Sequence, residues 1–279
     1  MKRLIALAAL ICLLLCGCGS TGATPPDTAP QTPSTDSGTE NTPSTPAAPD
    51  GNTESVPSKP EKVTVYLLTE MTVFDSGSTK YNYDENHNID SYQVFTIENT
   101  PMYNVFFEQK DADGMACVVR TQWPEGIGNG AASLTYLAGG KLEEEQTDGS
   151  SYSGYQYAYD GQGNLTEKRE YYDGILQSTV YYEYDGELLT AAYCTDNADN
   201  KVFECRIENG LVTEKVFFDP DVAYGYRYKY DENRNLTETE FYFNGETTPG
   251  DQYFYTAVEV DAERAPYLQE QQKYLIHIT

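Results

Sequence analysis

From about residue 62 onward the chain alternates apolar and polar positions in short bursts separated by turn-forming residues. The clearest bursts are Tyr157-Ala-Tyr159-Asp160-Gly-Gln-Gly163-Asn164-Leu165-Thr166, Tyr182-Glu-Tyr184-Asp185-Gly, Cys205-Arg-Ile207-Glu208-Asn209-Gly210-Leu211 and Tyr228-Lys-Tyr230-Asp231-Glu-Asn-Arg-Asn235-Leu236-Thr237. A Tyr-x-Tyr pair puts both rings on one face of a strand. The Asp, Gly and Asn that follow tolerate positive φ or bond their own backbone, so they predict a turn. Leu165, Leu236 or Ile89 restarts the alternation, and a second turn signal comes about a dozen residues later, at Asp173-Gly174, Asp199-Asn200 and Asn244-Gly245. Each unit therefore predicts two strands and two tight turns, and a string of units predicts an all-β antiparallel meander of stacked hairpins. One short helix is predicted, over 261–273, with Pro266 interrupting it.

The acidic anchors Asp160, Asp185, Glu208 and Asp231 are 25, 23 and 23 residues apart. An earlier copy reads Tyr81-Asn-Tyr83-Asp84-Glu-Asn-His-Asn88-Ile89. Two degraded copies, around Phe107-Glu108 and Leu134-Thr-Tyr136, fill the gap, giving about seven units over 78–245. A fixed period of this length marks a repeat architecture. The Tyr-x-Tyr-Asp-x-x-Gly-Asn-Leu pattern resembles the YD repeat of Rhs-type proteins, over about 60% of the chain. The resemblance implies a continuous curved or spiral sheet. It does not bring with it the toxin-enclosing shell of long Rhs proteins, because seven units are too few for that shell and no toxin domain follows residue 245.

The N-terminus is built differently. Lys2 and Arg3 precede an apolar run from Leu4 to Leu15, too short to span a bilayer but suited to a signal peptide. The run ends Leu15-Cys16-Gly17-Cys18, which resembles the lipobox of bacterial lipoproteins. Gly17 fits the small residue before the modified cysteine, whereas Leu15 before Cys16 is too large. The resemblance implies a signal peptide over 1–17, cleavage after Gly17 and lipidation of Cys18. Residues 19–61 are rich in Thr, Pro, Ser, Ala, Gly and Asp and hold no aromatic residue. Such a segment buries too little apolar surface to offset its ordering entropy. It is expected to be a disordered tether, about 35 Å end to end as a flexible coil and about 130 Å when extended. The organisation expected is signal peptide 1–17, lipidated Cys18 with tether to 61, and a β-repeat domain over 62–279.

Charge and composition narrow the function. Asp and Glu total 44 against 18 Lys and Arg, a formal net charge of −26 that becomes −28 once Lys2 and Arg3 are removed. A duplex-binding protein needs a basic face, so nucleic acid is an unsuitable partner. A cationic or neutral partner suits the charge better. The two histidines, His87 and His277, belong to no triad or metal constellation, and with 44 acids no motif singles out a carboxylate pair for glycosidase chemistry. Asp84, Asn86, Asn88 and Asp90 place oxygens at alternate positions, a spacing that calcium sites use, while the plainer reading is an Asx-rich turn. No other cofactor is expected. Trp123, in the longest irregular insert, is either a recognition anchor or a plug at a sheet edge. Cys194 and Cys205 are symmetric about Asp199-Asn200, so a simple hairpin would set them face to face, either bridged in an oxidising compartment or as two small strand residues. The reading these features support is a lipoprotein held at the extracytoplasmic face of a bacterial cell membrane, with a non-catalytic binding or scaffold role toward a surface glycan or envelope protein. The alternatives are an envelope carbohydrate-active enzyme with paired carboxylates and a structural surface antigen.

Overall fold

A computed structural model describes residues 61–124, 130–149 and 152–276. The signal peptide, Cys18 and the tether lie outside them, as does His277. The described residues form sixteen strands and one helix. The strands are β1 (Lys62–Val73), β2 (Gly77–Tyr83), β3 (Ile89–Thr96), β4 (Pro101–Lys110), β5 (Ala116–Gln122), β6 (Gly130–Tyr136), β7 (Leu142–Thr147) and β8 (Gly154–Tyr159). They continue as β9 (Leu165–Tyr172), β10 (Ile175–Asp185), β11 (Leu188–Asp196), β12 (Lys201–Glu208), β13 (Leu211–Phe217), β14 (Tyr224–Tyr230), β15 (Leu236–Phe243) and β16 (Glu246–Asp261), followed by α1 (Ala265–Leu275).

Every strand pairs antiparallel with its sequence neighbour, and β1 pairs with β16 from Lys62↔Asp261 to Thr72↔Gln252. The meander expected from sequence is therefore present, but the sheet is a closed barrel rather than an open curve or spiral. Closure follows from β1 and β16, which lie outside the repeats: each edge satisfies the backbone groups the other would leave bare.

The repeat works residue by residue. In the turns starting at Asp84, Asp160, Asp196 and Asp231, the Asp Oδ1 accepts from the backbone N–H groups two and four residues on, at 2.8–2.9 Å, and its other oxygen accepts from the Asn side-chain amide at 2.9–3.1 Å. The fourth turn residue has positive φ: His87, Gly163, Asp199 and Arg234, at 61–84°. The turn expected at Asp199-Asn200 is thus the second half of a five-residue turn opened by Asp196. The aliphatic residue after three of these turns, Ile89, Leu165 or Leu236, faces inward. The Thr after it sits in a β-bulge, its hydroxyl donating across the pair: Thr166 to Ala158 O, Thr190 to Glu183 O and Thr237 to Lys229 O, each 3.1 Å, and Thr213 to Arg206 O, 3.3 Å. Bulges bend a strand and increase its twist, so a bulge repeated around the sheet curls it toward closure. The second Tyr then stitches each hairpin to the one before. Tyr136, Tyr159, Tyr230 and Tyr255 donate to the carbonyls of Ala116, Leu142, Val212 and Leu236 at 2.7–2.9 Å.

Seven turns, at 84–88, 111–115, 137–141, 160–164, 186–187, 209–210 and 231–235, line one rim, one for each sequence unit. Helix α1 lies at this rim. Pro266 occupies its first turn, where a missing N–H costs nothing, so it starts the helix rather than breaking it. Leu268, fully buried, packs with Val65, Leu67, Val260 and Ala265. The buried Gln272 accepts from Leu68 N at 2.8 Å and Gln271 accepts from Ile89 N at 2.9 Å. Tyr274, Leu275 and Ile276 run into the lumen against Leu68, Ile89, Val105 and Phe107. A sixteen-stranded ring is too wide for wall side chains alone to fill. Tyrosines and α1 supply the missing volume on the β1–β5 side.

No helix among the described residues is long and apolar enough to cross a membrane. Sixteen antiparallel strands could in principle cross one as a barrel, but such a barrel needs an apolar outer band. Here the outer wall carries ion pairs on many strands: Arg120–Glu108, Arg169–Glu167, Lys201–Glu204, Arg206–Glu214–Arg227 and Lys229 with Glu238 and Glu240. The Tyr-x-Tyr pairs of β8, β10 and β14 point inward, while Tyr193 and Tyr242 lie on the outer wall under Lys201 and Arg227. Such charged pairs suit a wall that faces water.

Candidate functional site

The space between α1 and the β8–β15 wall is a cavity of about 620 Å³ that opens at the helix rim, within the range of small-ligand sites. Tyr157 and Tyr159 come from β8, Tyr182 and Tyr184 from β10, and Tyr230 and Tyr255 from the far side, with Glu270, Lys273 and Tyr274 of α1 opposite. The rings are there because Tyr-x-Tyr alternation turns both inward. Their hydroxyls are held off water: burial raises the pKa of Tyr157, Tyr159 and Tyr182's neighbour Tyr184 above the ordinary phenol value, and nearby Glu270 pushes Tyr159 and Tyr184 further.

Deeper in the wall lies a cluster of titratable groups. Glu145 and Glu170 flank Tyr155 in register on β7 and β9, and Ser178 donates to Glu170 at 2.9 Å. Burial raises the Glu145 carboxyl, against the pull of Lys168 and a hydrogen bond from Tyr274. Burial lowers Lys168, opposed by Glu145 and Glu170; its ammonium sits 5.1 Å from the Tyr155 ring centroid. Glu145 and Glu170 thus stand on strands two apart, roughly 9.6 Å between their backbones. Neither carboxylate lines the cavity, however; Lys168 and Tyr157 do. The cluster holds Lys168 and Tyr274 in place rather than meeting a ligand. Single-sequence reasoning had no means of finding it, because register alone brings Glu145, Lys168 and Glu170 together.

The residues singled out in the sequence fall elsewhere. Asp84 and Asn88 do meet, but as the repeat turn. Asp84 accepts Lys110 at 2.8 Å in addition to its backbone bonds, Asn88 Oδ1 accepts from Arg264 and Gln271, Asn86 contributes its backbone N–H, and Asp90 is 3.7 Å from Lys110. The carboxylate of Asp84 and the Oδ1 of Asn88 are thus engaged by the turn, Lys110, Arg264 and Gln271. His87 supplies the positive-φ turn position. Cys194 and Cys205 do not face each other: the bulge at Cys194/Thr195 shifts the register, so Cys194 opposes Phe203 and Cys205 opposes Ala192. Both are free thiols, with burial pushing Cys205 up to about 11. Trp123 lies at the opposite rim, its ring 4.6 Å from that of Tyr103. Phe74, Ile97, Ile175, Phe218 and Phe243 are exposed at that same rim.

The chain matches no protein-family model and no curated protein sequence. Among solved structures it is similar to a porin-like protein from Bacteroides uniformis, at 12% identity and a TM-score of 0.45, over 68% of this chain and 96% of that one. It is also similar to TcdB2-TccC3, at 8% identity and a TM-score of 0.30, over 67% of this chain and 14% of that one. Likenesses this distant assign neither a fold family nor a function.

Proposed function

We propose that this protein is a lipid-anchored binding protein of the bacterial cell envelope. Lipidated Cys18 would hold it at the extracytoplasmic face of the membrane, the 19–61 segment would space it outward, and the cavity at the helix rim would take a small ligand or the exposed end of an envelope polymer. The observation that carries the reading is the tyrosine-walled cavity left open beside α1, whose C-terminal residues pack the lumen against Leu68, Ile89, Val105 and Phe107. The charged outer wall supports attachment through the lipid rather than through the barrel.

The test has two parts. Palmitate labelling in the producing cell should mark the full chain and be lost in Cys18→Ala; equal labelling of both would end the lipoprotein assignment. Purified protein should be retained on one envelope polysaccharide or peptidoglycan, or bind a member of a small-molecule panel, with loss of binding in Tyr182→Ala. No saturable binding to any of them would leave a structural spacer or surface antigen.

A further inference from the structure

We propose that the cavity mouth recognises an organic cation, a quaternary or protonated amine, in a box formed by Tyr157, Tyr159, Tyr182 and Tyr184 and closed by Glu270. This rests on the reading of the cavity as a binding site and names its ligand class. The four tyrosines stand on β8 and β10 with β9 between them, and all line the cavity. Strands two apart are roughly 9.6 Å from one another. That gap keeps the two pairs of rings from stacking and leaves room for a group that lies within about 6 Å of both ring sets, the reach of a cation–π contact. Leu165 and Leu189 line the space as well, so the site offers ring faces and methyl groups, the surface that a methylated ammonium presents in return.

Three further observations favour a cation over a sugar. The hydroxyls of Tyr136, Tyr159, Tyr230 and Tyr255 donate to backbone carbonyls, so these four cavity tyrosines present ring faces rather than free hydroxyl donors. The chain's own cations already settle on these rings: Lys141 Nζ is 5.5 Å from the Tyr159 centroid, and Lys168 Nζ is 5.1 Å from Tyr155. The net charge of −26 draws cations toward the molecule. Of the chain's own cations near the site, Lys141 lies over Tyr159 while donating to Gly163 O, so a ligand would share or displace it at that ring. Lys168 stands beside Glu145 and Glu170. Lys273 pairs with Glu270 at 2.7 Å, yet its side chain is 71% exposed; such a pair is weak, so Lys273 can yield the carboxylate to a ligand. Arg234 donates to Asn209 O at the opposite edge.

Calorimetric titration of the full chain with choline and tetramethylammonium tests this, with 3,3-dimethyl-1-butanol as the neutral isostere and N-acetylglucosamine as the sugar probe. The expected result is saturable choline binding, about tenfold weaker for the isostere, weakened by salt, and reduced about three- to thirtyfold in Tyr182→Leu and in Glu270→Gln. Tyr184→Leu and Glu270→Gln change half-exposed positions and serve if Tyr182→Leu fails to fold. Equal binding of choline and the isostere overturns the cation box while leaving the cavity a binding site, as does saturable sugar binding without choline binding. No saturable binding of any probe overturns both readings.

Discussion

At the scale of the residue, the repeat is a set of hydrogen bonds assigned one per side chain. Asp opens the turn, Asn closes it, Thr caps the bulge and the second Tyr ties one hairpin to the last. The Asn-Leu-Thr triplets at 164–166 and 235–237 are explained fully by the turn, the inward leucine and the bulge. Asp84→Ala should cost about 1–2 kcal/mol, since two backbone N–H groups lose their acceptor. Asp84→Asn, which keeps an acceptor oxygen, should cost less; chemical denaturation compares the two. Burial raises the Asp84 carboxyl, but Lys110 and Asn88 outweigh it and hold it below its ordinary 3.8. A depressed folded pKa gives stability that is present above the unfolded value and lost as pH falls. The wild type should therefore lose stability below about pH 4 more steeply than Asp84→Asn does. Tyr230→Phe, which deletes only the hydroxyl bonded to Val212 O, should cost about 1 kcal/mol by the same assay. These roles were legible in outline: Asp, Gly and Asn read as turn chemistry and Tyr-x-Tyr as one face. The Thr and Tyr hydroxyl partners were not, because they lie 7–20 residues away across a strand pair.

At the scale of the element, strands and turns followed the alternation closely, and the seven units became seven rim turns. What alternation could not supply was curvature, since bulges are visible only as register shifts between paired strands. The helix shows the same limit. Its position was legible, but Gln271 and Gln272 read as solvent-facing and are in fact buried, satisfying backbone N–H groups of β3 and β1. Those N–H groups, at the register shift after Leu68 and at the start of β3, are what select glutamine there. Leu268→Ala should lower stability by about 2–5 kcal/mol, the usual cost of emptying a fully buried leucine site. Thermal melting checks it, and a shift near zero would mean that α1 contributes little to the closed rim.

At the scale of the whole molecule, a chain with many acids and inward Tyr-x-Tyr pairs makes a barrel whose outer wall carries charged pairs. The expected outcome in detergent phase separation is that the Cys18→Ala protein, lacking its lipid, stays in the aqueous phase; recovery in the detergent phase would contradict the charged outer wall.

The sequence alone determined the local alphabet: strand, turn, repeat period, the face on which tyrosines lie and the order of the segments. These depend on contacts within one or two hairpins, which periodicity encodes. Only the tertiary structure decided that β1 meets β16, that α1 enters the lumen, that Glu145, Lys168 and Glu170 share one wall, and that a cavity remains beside the helix. Each of these joins residues far apart in the chain, and the join is set by the sum of many small bends and by the volume a closed ring leaves to be filled.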